Sequence, residues 1–289
     1  IKKYGILIHP IRISRNGINF LEILKTCKDI FNTINLVKPK VLHLISIKPV
    51  LLGGLICHFI KKKPSIISAI SGLGTVFIDS GLKASFIKLI SLILYKIAFA
   101  HRNLNCIVQN KDDYKFITYI SNFKNKNIFL IPGSGVNLSK FVPTKNEPKI
   151  PVILFPSRLI KSKGIFEFIE AAKALKGKAR FAISGALDFG SKDSISKSDL
   201  RSIVKNNFIE YWGFSTNMQA TLSKSTIVVL PSYREGLPKV LCEAAACSKA
   251  IITTNVPGCR EAIIHNKSGL LIPHKNVPAL IKTMCESSF

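Results

Sequence analysis

Two carboxylates in the second half of the chain have a spacing that suits hydrogen bonding to a ligand. Glu235 follows a predicted strand at 227–231, and Glu243 lies eight positions later, inside a predicted helix for which Pro238 suits the first position. The backbone N–H groups of Gly236, Leu237 and the first helical turn are expected to bind an anion. Two acids facing hydroxyl groups beside such a helix start would suit a nucleotide sugar. The alternative is two ordinary helix carboxylates, one of them favoured by the helix dipole.

A basic cluster follows a predicted strand at 152–156 and carries Arg158, Lys161 and Lys163 ahead of Gly164. Arginine can donate two parallel hydrogen bonds to one anion and lysine supplies a compact positive charge, a combination that suits a diphosphate. The chain has no D-x-D sequence that would hold a divalent ion. Fixed cations would therefore neutralise the diphosphate without a metal. The alternative is an exposed basic loop in a basic protein.

A glycine-rich segment, Gly133-Ser-Gly135-Val-Asn137, follows another predicted strand. It suits either a phosphate cradle or a hinge, because glycine readily adopts the backbone angles that both require. The segment Ser71-Gly-Leu-Gly74 closes a further strand. Neither segment matches a P-loop or a G-x-G-x-x-G fingerprint, so neither identifies a ligand alone.

The composition is that of a globular and strongly basic protein. Apolar residues make up 47% of the 289 residues, and 42 Lys and Arg against 16 Asp and Glu give a formal charge of +26. Nucleic acid, lipid head groups and phosphorylated ligands are natural partners for this charge, while a genome rich in A and T would produce it without any partner. Basic residues interleaved with stacking aromatics are not found, which argues against nucleic acid. The seven cysteines form no C-x-x-C pair, and no metal-ligand spacing occurs, so we expect a reduced compartment and no metal.

Short β-branched segments alternate with amphipathic helices, which predicts βα units and parallel sheets. The strands are expected at 5–9, 41–46, 65–71, 105–109 and 128–132, and then at 152–156, 179–184, 209–212, 227–231, 250–253 and 270–273. We predict an α/β fold with a domain at 1–142, a linker at 143–151 and a domain at 152–289. Each domain is a doubly wound, Rossmann-like parallel sheet, and the ligand is expected in the cleft between them, at the carboxyl ends of the strands. The apolar segments at 50–60 and 86–100 are too short to cross a bilayer, and they suit helices on a sheet or contact with a membrane surface.

Several segments together resemble the family 4 glycosyltransferases, which have the two-domain GT-B fold. The matching segments follow the family's order and span most of the second half: Ser157-Arg158-Leu-(x)3-Lys163-Gly164, Glu235-Gly-Leu-Pro-(x)4-Glu243-Ala244, Thr253-Thr-Asn-Val-Pro-Gly-Cys-Arg-Glu261 and Asn266-Lys-Ser-Gly-Leu-Leu-Ile-Pro273. The first half resembles the branch that extends lipid-linked oligosaccharides for O-antigen, capsule or protein glycosylation. Its marks are His43-Leu-Ile-Ser-Ile-Lys-Pro49, Ser71–Gly74, Gln109-Asn-Lys-Asp-Asp113 and Gly133–Asn137.

The resemblance implies roles for the candidate residues. Glu235 would bind hydroxyls of the donor sugar, with help from the amides of Gly236 and Leu237, and Glu243 would bind the ribose. Pro238 is also predicted to lie among the donor-binding residues. Arg158 and Lys163 would hold the leaving diphosphate. The remaining donor-binding residues are predicted to be Gly135 and, near the nucleobase, Phe214.

The implied reaction is hexosyl transfer with retention at the anomeric carbon, without a metal or other cofactor. The expected donor is a UDP-sugar, often an N-acetylhexosamine, and the expected acceptor is an undecaprenyl-diphosphate-linked saccharide. The protein would then work in the cytoplasm as a peripheral protein on the inner face of the cell membrane. Against the family pattern the chain starts late and stops early, which implies truncation at both ends. An inactive remnant of such an enzyme is therefore an alternative, as is, less favoured, another GT-B enzyme such as a UDP-sugar epimerase.

Overall fold

The computed structural model describes residues 4–14, 19–73, 82–121, 127–144, 148–191, 193–206 and 208–288. The chain divides into two compact units, Ile1–Ile131 and Pro132–Phe289. Gly74 and residues 145–147 of the predicted linker lie outside the described residues. Each unit has its own hydrophobic core and its own parallel sheet.

The first unit is a four-stranded parallel sheet of order β1-β2-β3-β4. Its elements are α1 (Phe20–Val37), β1 (Val41–Ile45), α2 (Ile47–Cys57), β2 (Ser65–Ile70), α3 (Leu82–Phe99), β3 (Leu104–Val108), α4 (Lys111–Ile120) and β4 (Ile128–Leu130). Asparagine side chains begin two of the helices: Asn19 accepts the N–H of Leu21, and Asn110 accepts that of Asp113. These caps satisfy N–H groups that have no partner inside a helix.

The second unit is a six-stranded parallel sheet of order β10-β9-β8-β5-β6-β7. Its strands are β5 (Val152–Pro156), β6 (Arg180–Ser184), β7 (Glu210–Gly213), β8 (Ile227–Leu230), β9 (Ala250–Thr254) and β10 (Leu270–Ile272). Its helices are α5 (Ile165–Ala174), α6 (Lys197–Lys205), α7 (Met218–Ser223), α8 (Lys239–Ala246), α9 (Cys259–Ala262) and α10 (Val277–Ser288). Every residue of β5 and β8 is buried, as expected for central strands covered on both faces.

The predicted α/β class and parallel sheets are confirmed, but the strand predicted at 5–9 is wrong. Residues 6–14 lie outside any helix or strand, and Leu7 is 84% exposed. A strand needs a neighbour to satisfy its backbone groups, and among the described residues none pairs with this segment. The short helices α6 and α9 were not predicted. Within the described residues, no helix is long and apolar enough to cross a bilayer.

Candidate active site

The sheet order brings Lys163 and Glu235 together although 72 positions separate them in the sequence. Strands β5 and β8 are neighbours, so the segments that leave their carboxyl ends lie side by side. Lys163 ends a short 3-10 turn after β5, and Glu235 lies in the loop after β8. The Lys163 ammonium donates a hydrogen bond to Glu235 Oε1, and both side chains are largely shielded from solvent. The structure therefore brings together a residue predicted to bind the diphosphate, Lys163, and a residue predicted to bind the sugar, Glu235.

Neighbouring loops hold Glu235 in place. The Ser232 hydroxyl donates to the same Oε1 atom at 2.7 Å, and the Glu235 N–H donates to the carbonyl of Pro257 at 3.1 Å. Thr254, at the end of β9, donates its hydroxyl to the carbonyl of Ser232. Both the side chain and the backbone of Glu235 are therefore fixed by the loops after β8 and β9, an arrangement that limits reorganisation when a ligand binds.

Gly258 allows the loop after β9 to approach Glu235 closely. Its φ is +80°, and a Cβ there would lie 2.5 Å from the Gly236 carbonyl oxygen and 2.6 Å from that of Glu235. The next residue, Cys259, is fully buried. Burial, and after it the nearby Glu235 carboxylate, raise the pKa of the Cys259 thiol to about 12. Burial therefore favours the protonated thiol beside Glu235.

Glu243 lies in α8 and is separated from Glu235 by the loop that carries Gly236, Leu237 and Pro238. Its side chain is 10% exposed and forms an ion pair with Lys239 at 3.4 Å, one turn earlier. Pro238 is the N-cap of α8 rather than its first residue, and the helix begins at Lys239. A shielded carboxylate near a helix start that lies at the carboxyl edge of the sheet is compatible with the predicted ribose contact, which stays a prediction.

Arg158 lies beyond the end of β5 and pairs with an acidic residue that was not predicted. Its guanidinium donates to Asp188 at 2.7 Å, and Asp188 follows the neighbouring strand β6. The Arg158 side chain is 58% exposed, whereas that of Asp188 is 10% exposed. The shielded carboxylate thus orients an accessible guanidinium at the carboxyl edge of the sheet. No local sequence pattern indicates Asp188, because the two residues meet only once β5 and β6 pair.

The glycine-rich segment Gly133–Asn137 lies against the loop after β8, which carries Leu237. Gly133 has a φ of +58°, and a Cβ there would lie 2.8 Å from Leu237 Cδ2. Gly135 has a φ of +68° and no atom within 4 Å of the Cβ position. The predicted donor residues Gly135 and Leu237 therefore belong to neighbouring segments, and Gly135 leaves space beside its backbone. Whether that space takes a phosphate stays a prediction.

Phe214 lies apart from these contacts. It follows β7, the edge strand, and is 72% exposed. Its neighbour Trp212 is fixed by a 2.9 Å hydrogen bond from its indole N–H to Glu210. The structure thus offers an exposed aromatic ring at the carboxyl edge, and its role at a nucleobase stays a prediction.

Two further features bear on what the second unit can bind. Within the described ranges, no three His, Cys, Asp or Glu residues lie together so as to hold a metal ion. A cavity of about 580 Å³ is lined by Lys249, Asn266 and Lys267 among others, at the start of β9 and the turn before β10. It lies at the amino edge of the sheet and is distinct from the Lys163–Glu235 site.

Comparison with known proteins identifies the family. Residues 138–286 match the family model described as "Glycosyl transferases group 1", and residues 1–111 match that described as "Glycosyl transferase 4-like". A Campylobacter jejuni protein named N,N'-diacetylbacillosaminyl-diphospho-undecaprenol alpha-1,3-N-acetylgalactosaminyltransferase is 33% identical over 234 residues, which cover 76% of this chain and 60% of the relative. The capsular polysaccharide biosynthesis glycosyltransferase CapM of Staphylococcus aureus is 24% identical over 78% of this chain and 62% of its own length. The chain thus spans about three fifths of these relatives.

Solved structures share the fold. A sucrose-phosphate synthase from Thermosynechococcus elongatus superposes with a TM-score of 0.77 at 21% identity, over 92% of this chain and 69% of that protein. The Anabaena protein HepE, solved with UDP-glucose, superposes with a TM-score of 0.72 at 14% identity, over 91% of this chain and 72% of its own. The predicted pair of Rossmann-like parallel-sheet domains of the GT-B type is thereby confirmed, and with the match over residues 138–286 the chain belongs to the group 1 glycosyltransferases.

Proposed function

We propose that the protein transfers a hexosyl or N-acetylhexosaminyl group from a UDP-sugar to a polyprenyl-diphosphate-linked saccharide, with retention at the anomeric carbon and without a metal. The observation that carries this proposal is the hydrogen-bonded pair of Lys163 and Glu235 at the carboxyl ends of two adjacent strands. Ligands of open α/β sheets bind at this edge.

The basic residues would act on the leaving group. As the bond between sugar and diphosphate lengthens, negative charge grows on the phosphate oxygens. The Lys163 ammonium has three N–H donors, so its hydrogen bond to Glu235 leaves others for the diphosphate. Arg158, oriented by Asp188, offers a second cationic group. Donors that are already in place stabilise this charge more in the transition state than in the ground state, which lowers the barrier.

The acidic residues would orient the donor. Glu235 uses Oε1 to accept hydrogen bonds from Lys163 and Ser232, which hold the carboxylate in place, and from this position it would bind hydroxyls of the donor sugar. Glu243, shielded in α8, would take the ribose hydroxyls. The N–H groups near the start of α8, including those of Gly236 and Leu237, would face the negative part of the donor.

The acceptor assignment rests on the relatives. The printed name of the C. jejuni relative describes an N-acetylgalactosaminyltransferase that acts on a diphospho-undecaprenol-linked sugar. HepE was solved in complex with UDP-glucose. These two proteins support a UDP-sugar donor and a lipid-linked acceptor for this chain. An N-acetylhexosamine is the sugar that we propose.

The exposed face of helix α3 supports the proposal that the protein acts at the cytoplasmic face of a membrane. One of its faces packs Tyr95 and Phe99 into the first core. The apolar side chains of the opposite face are exposed in a stripe at helical spacing: Phe86, Leu89, Ile90, Ile93 and Ile97. Lys88 and Lys96 lie in the same helix, and the chain carries a formal charge of +26. An apolar stripe bordered by the exposed Lys96 suits the interface of an anionic membrane.

A transfer assay tests the reaction. Wild-type protein is incubated with UDP-N-acetylhexosamines and an undecaprenyl-diphosphate-linked saccharide in the presence of EDTA. The extended lipid should form, and NMR should show that the anomeric configuration of the transferred sugar is retained. Glu235→Ala should lower kcat/KM by about 10²–10³-fold, because it removes a ligand of the reacting sugar. Glu170→Ala is the matched control, since Glu170 is an exposed carboxylate on α5. Transfer that survives Glu235→Ala undiminished would contradict the site assignment.

A flotation assay tests the membrane contact. Wild-type protein should float with vesicles that contain phosphatidylglycerol and less with neutral vesicles. Ile93→Glu should weaken the binding, whereas Ile264→Glu, at an apolar residue of the second unit that is also exposed, should not. Equal binding of both variants would contradict the role of α3.

A further inference from the structure

Tyr233 connects the two segments that carry Lys163 and Glu235. It lies two positions before Glu235, in the loop after β8. Its hydroxyl donates a 2.6 Å hydrogen bond to Glu167 Oε1. Glu167 lies in the first turn of α5, which begins just after Lys163 and Gly164. The two segments thus meet at a second point besides the Lys163–Glu235 pair.

The backbone and the ring of Tyr233 are held as well. Its N–H donates to the carbonyl of Ser162 at 2.9 Å, next to Lys163. The Lys275 ammonium lies 4.8 Å from the ring centroid, and the His274 ring meets the Tyr233 ring edge-on at 6.5 Å. Tyr233, in the loop after β8, is therefore fixed from the loops after β5 and β10, and all three loops lie at the carboxyl edge of the sheet.

The hydroxyl of Tyr233 is the partner of a shielded carboxylate. Glu167 Oε2 is buried and has no hydrogen bond among the described residues, so this carboxylate depends on the bond that Tyr233 donates to Oε1. Burial, and after it the hydrogen bond to Glu167, raise the pKa of Tyr233 above its usual value. The hydroxyl therefore keeps its proton and donates throughout the physiological pH range.

We propose that Tyr233 and Glu167 are positioning residues for glycosyl transfer, which hold the loop after β8 so that Glu235 meets Lys163. Neither side chain needs to touch the donor. The pair acts through the geometry of Lys163, whose contribution grows as charge develops on the diphosphate. Loss of the pair should therefore slow the chemical step more than it weakens donor binding. This kinetic part rests on the proposed function.

The kinetic test compares two Tyr→Phe changes. Tyr233→Phe should lower kcat about tenfold and change the donor KM by less than about twofold, equivalent to about 1.4 kcal/mol of transition-state stabilisation. Tyr211→Phe is the matched control, because the Tyr211 hydroxyl also donates a short bond, 2.8 Å, to the carbonyl of Gly185 in the same unit. Tyr211→Phe should leave kcat within about twofold. Equal kcat values in the two variants would overturn the proposal.

A double-mutant cycle tests the pairing. Glu167→Leu removes the acceptor and should reduce kcat as much as Tyr233→Phe does, while the double variant should be no slower than either single one. Glu167→Gln keeps an acceptor oxygen and should restore most of the activity. Losses that multiply in the double variant would show that the two residues act separately, and the proposal would fail.

Hydrogen exchange separates this proposal from the proposed function. In Tyr233→Phe, the backbone amides of positions 233 and 235 should exchange about tenfold faster, because the loop after β8 loses its hydrogen bond to Glu167 in α5. In Tyr211→Phe they should keep wild-type protection. If wild-type protein transfers no sugar but the exchange result holds, only the proposed function fails. Unchanged protection of both amides would overturn the positioning role whatever the activity.

Discussion

Replacement of Gly258 by alanine should destabilise the second unit through two separate effects. Gly258 has a φ of +80° and a ψ of −45°, a sparsely populated combination outside the left-handed helical region, so a non-glycine residue there costs about 1–2 kcal/mol. The new methyl group would also lie within 2.6 Å of the carbonyl oxygens of Glu235 and Gly236, and such overpacking costs about 1–3 kcal/mol. Together the free energy of unfolding should fall by about 2–5 kcal/mol. The relaxation that relieves the contact must displace Glu235, so transfer should fall as well.

The chain offers a matched control and a local probe. Gly177 has a φ of +84° with no atom within 4 Å of the Cβ position, so Gly177→Ala should carry only the backbone cost. Trp212, the single tryptophan of the chain, lies in β7 and reports the unfolding of the second unit by fluorescence. At a urea slope of about 2 kcal/mol per M, the midpoint should fall by about 1–2.5 M in Gly258→Ala and by about 0.5–1 M in Gly177→Ala. Equal midpoints in the two variants would refute the close approach of the loops.

Three further predictions concern buried thiols, acid stability and Arg158. Burial raises the pKa values of Cys106 and Cys259 to about 12, so intact-mass spectrometry should show that iodoacetamide at pH 8 labels both only after unfolding. The hydrogen bond from Arg12 lowers the pKa of Asp29 from 3.8 to about 2, so Asp29 stabilises the fold above pH 4 and loses this effect as the pH falls to 2. Circular dichroism should therefore show that the urea midpoint of wild-type protein exceeds that of Asp29→Asn at pH 6 and that this difference is much smaller at pH 2. Asp188→Asn leaves Arg158 without its carboxylate partner, and steady-state kinetics should show that the donor KM rises by up to about fivefold. Thermal unfolding should show a nearly unchanged midpoint, because the pair is partly exposed.

The sheets could be predicted from the sequence because their strands are short β-branched segments between amphipathic helices. Ten of the predicted strands occur within a residue or two of their expected bounds. The same signal was wrong at 5–9, where the residues have the right types but no neighbouring strand among the described residues. Local pattern specifies which residues suit a strand, and pairing decides whether the strand forms.

Candidate site residues could be selected from the sequence, but their contacts could not. Glu235 and Lys163 stand out by residue type and by their position after a strand. Their hydrogen bond depends on the adjacency of β5 and β8, which no local pattern encodes. The same holds for the partners that the sequence did not indicate: Asp188, which meets Arg158 across two strands, and Glu167, which meets Tyr233 across a helix start.

Nucleotide binding tests the central claim, that Lys163 and Glu235 form the donor site, most directly. Thermal unfolding is measured with UDP, GDP and ADP, with and without EDTA, for wild-type protein, Lys163→Met and the surface control Lys224→Met. A ligand at a hundred times its dissociation constant stabilises the folded state by about 2.7 kcal/mol. We predict a UDP-selective shift that persists in EDTA and in Lys224→Met and is lost in Lys163→Met. A folded wild-type protein that shifts with no nucleotide, or a UDP shift that Lys163→Met retains, would contradict the account.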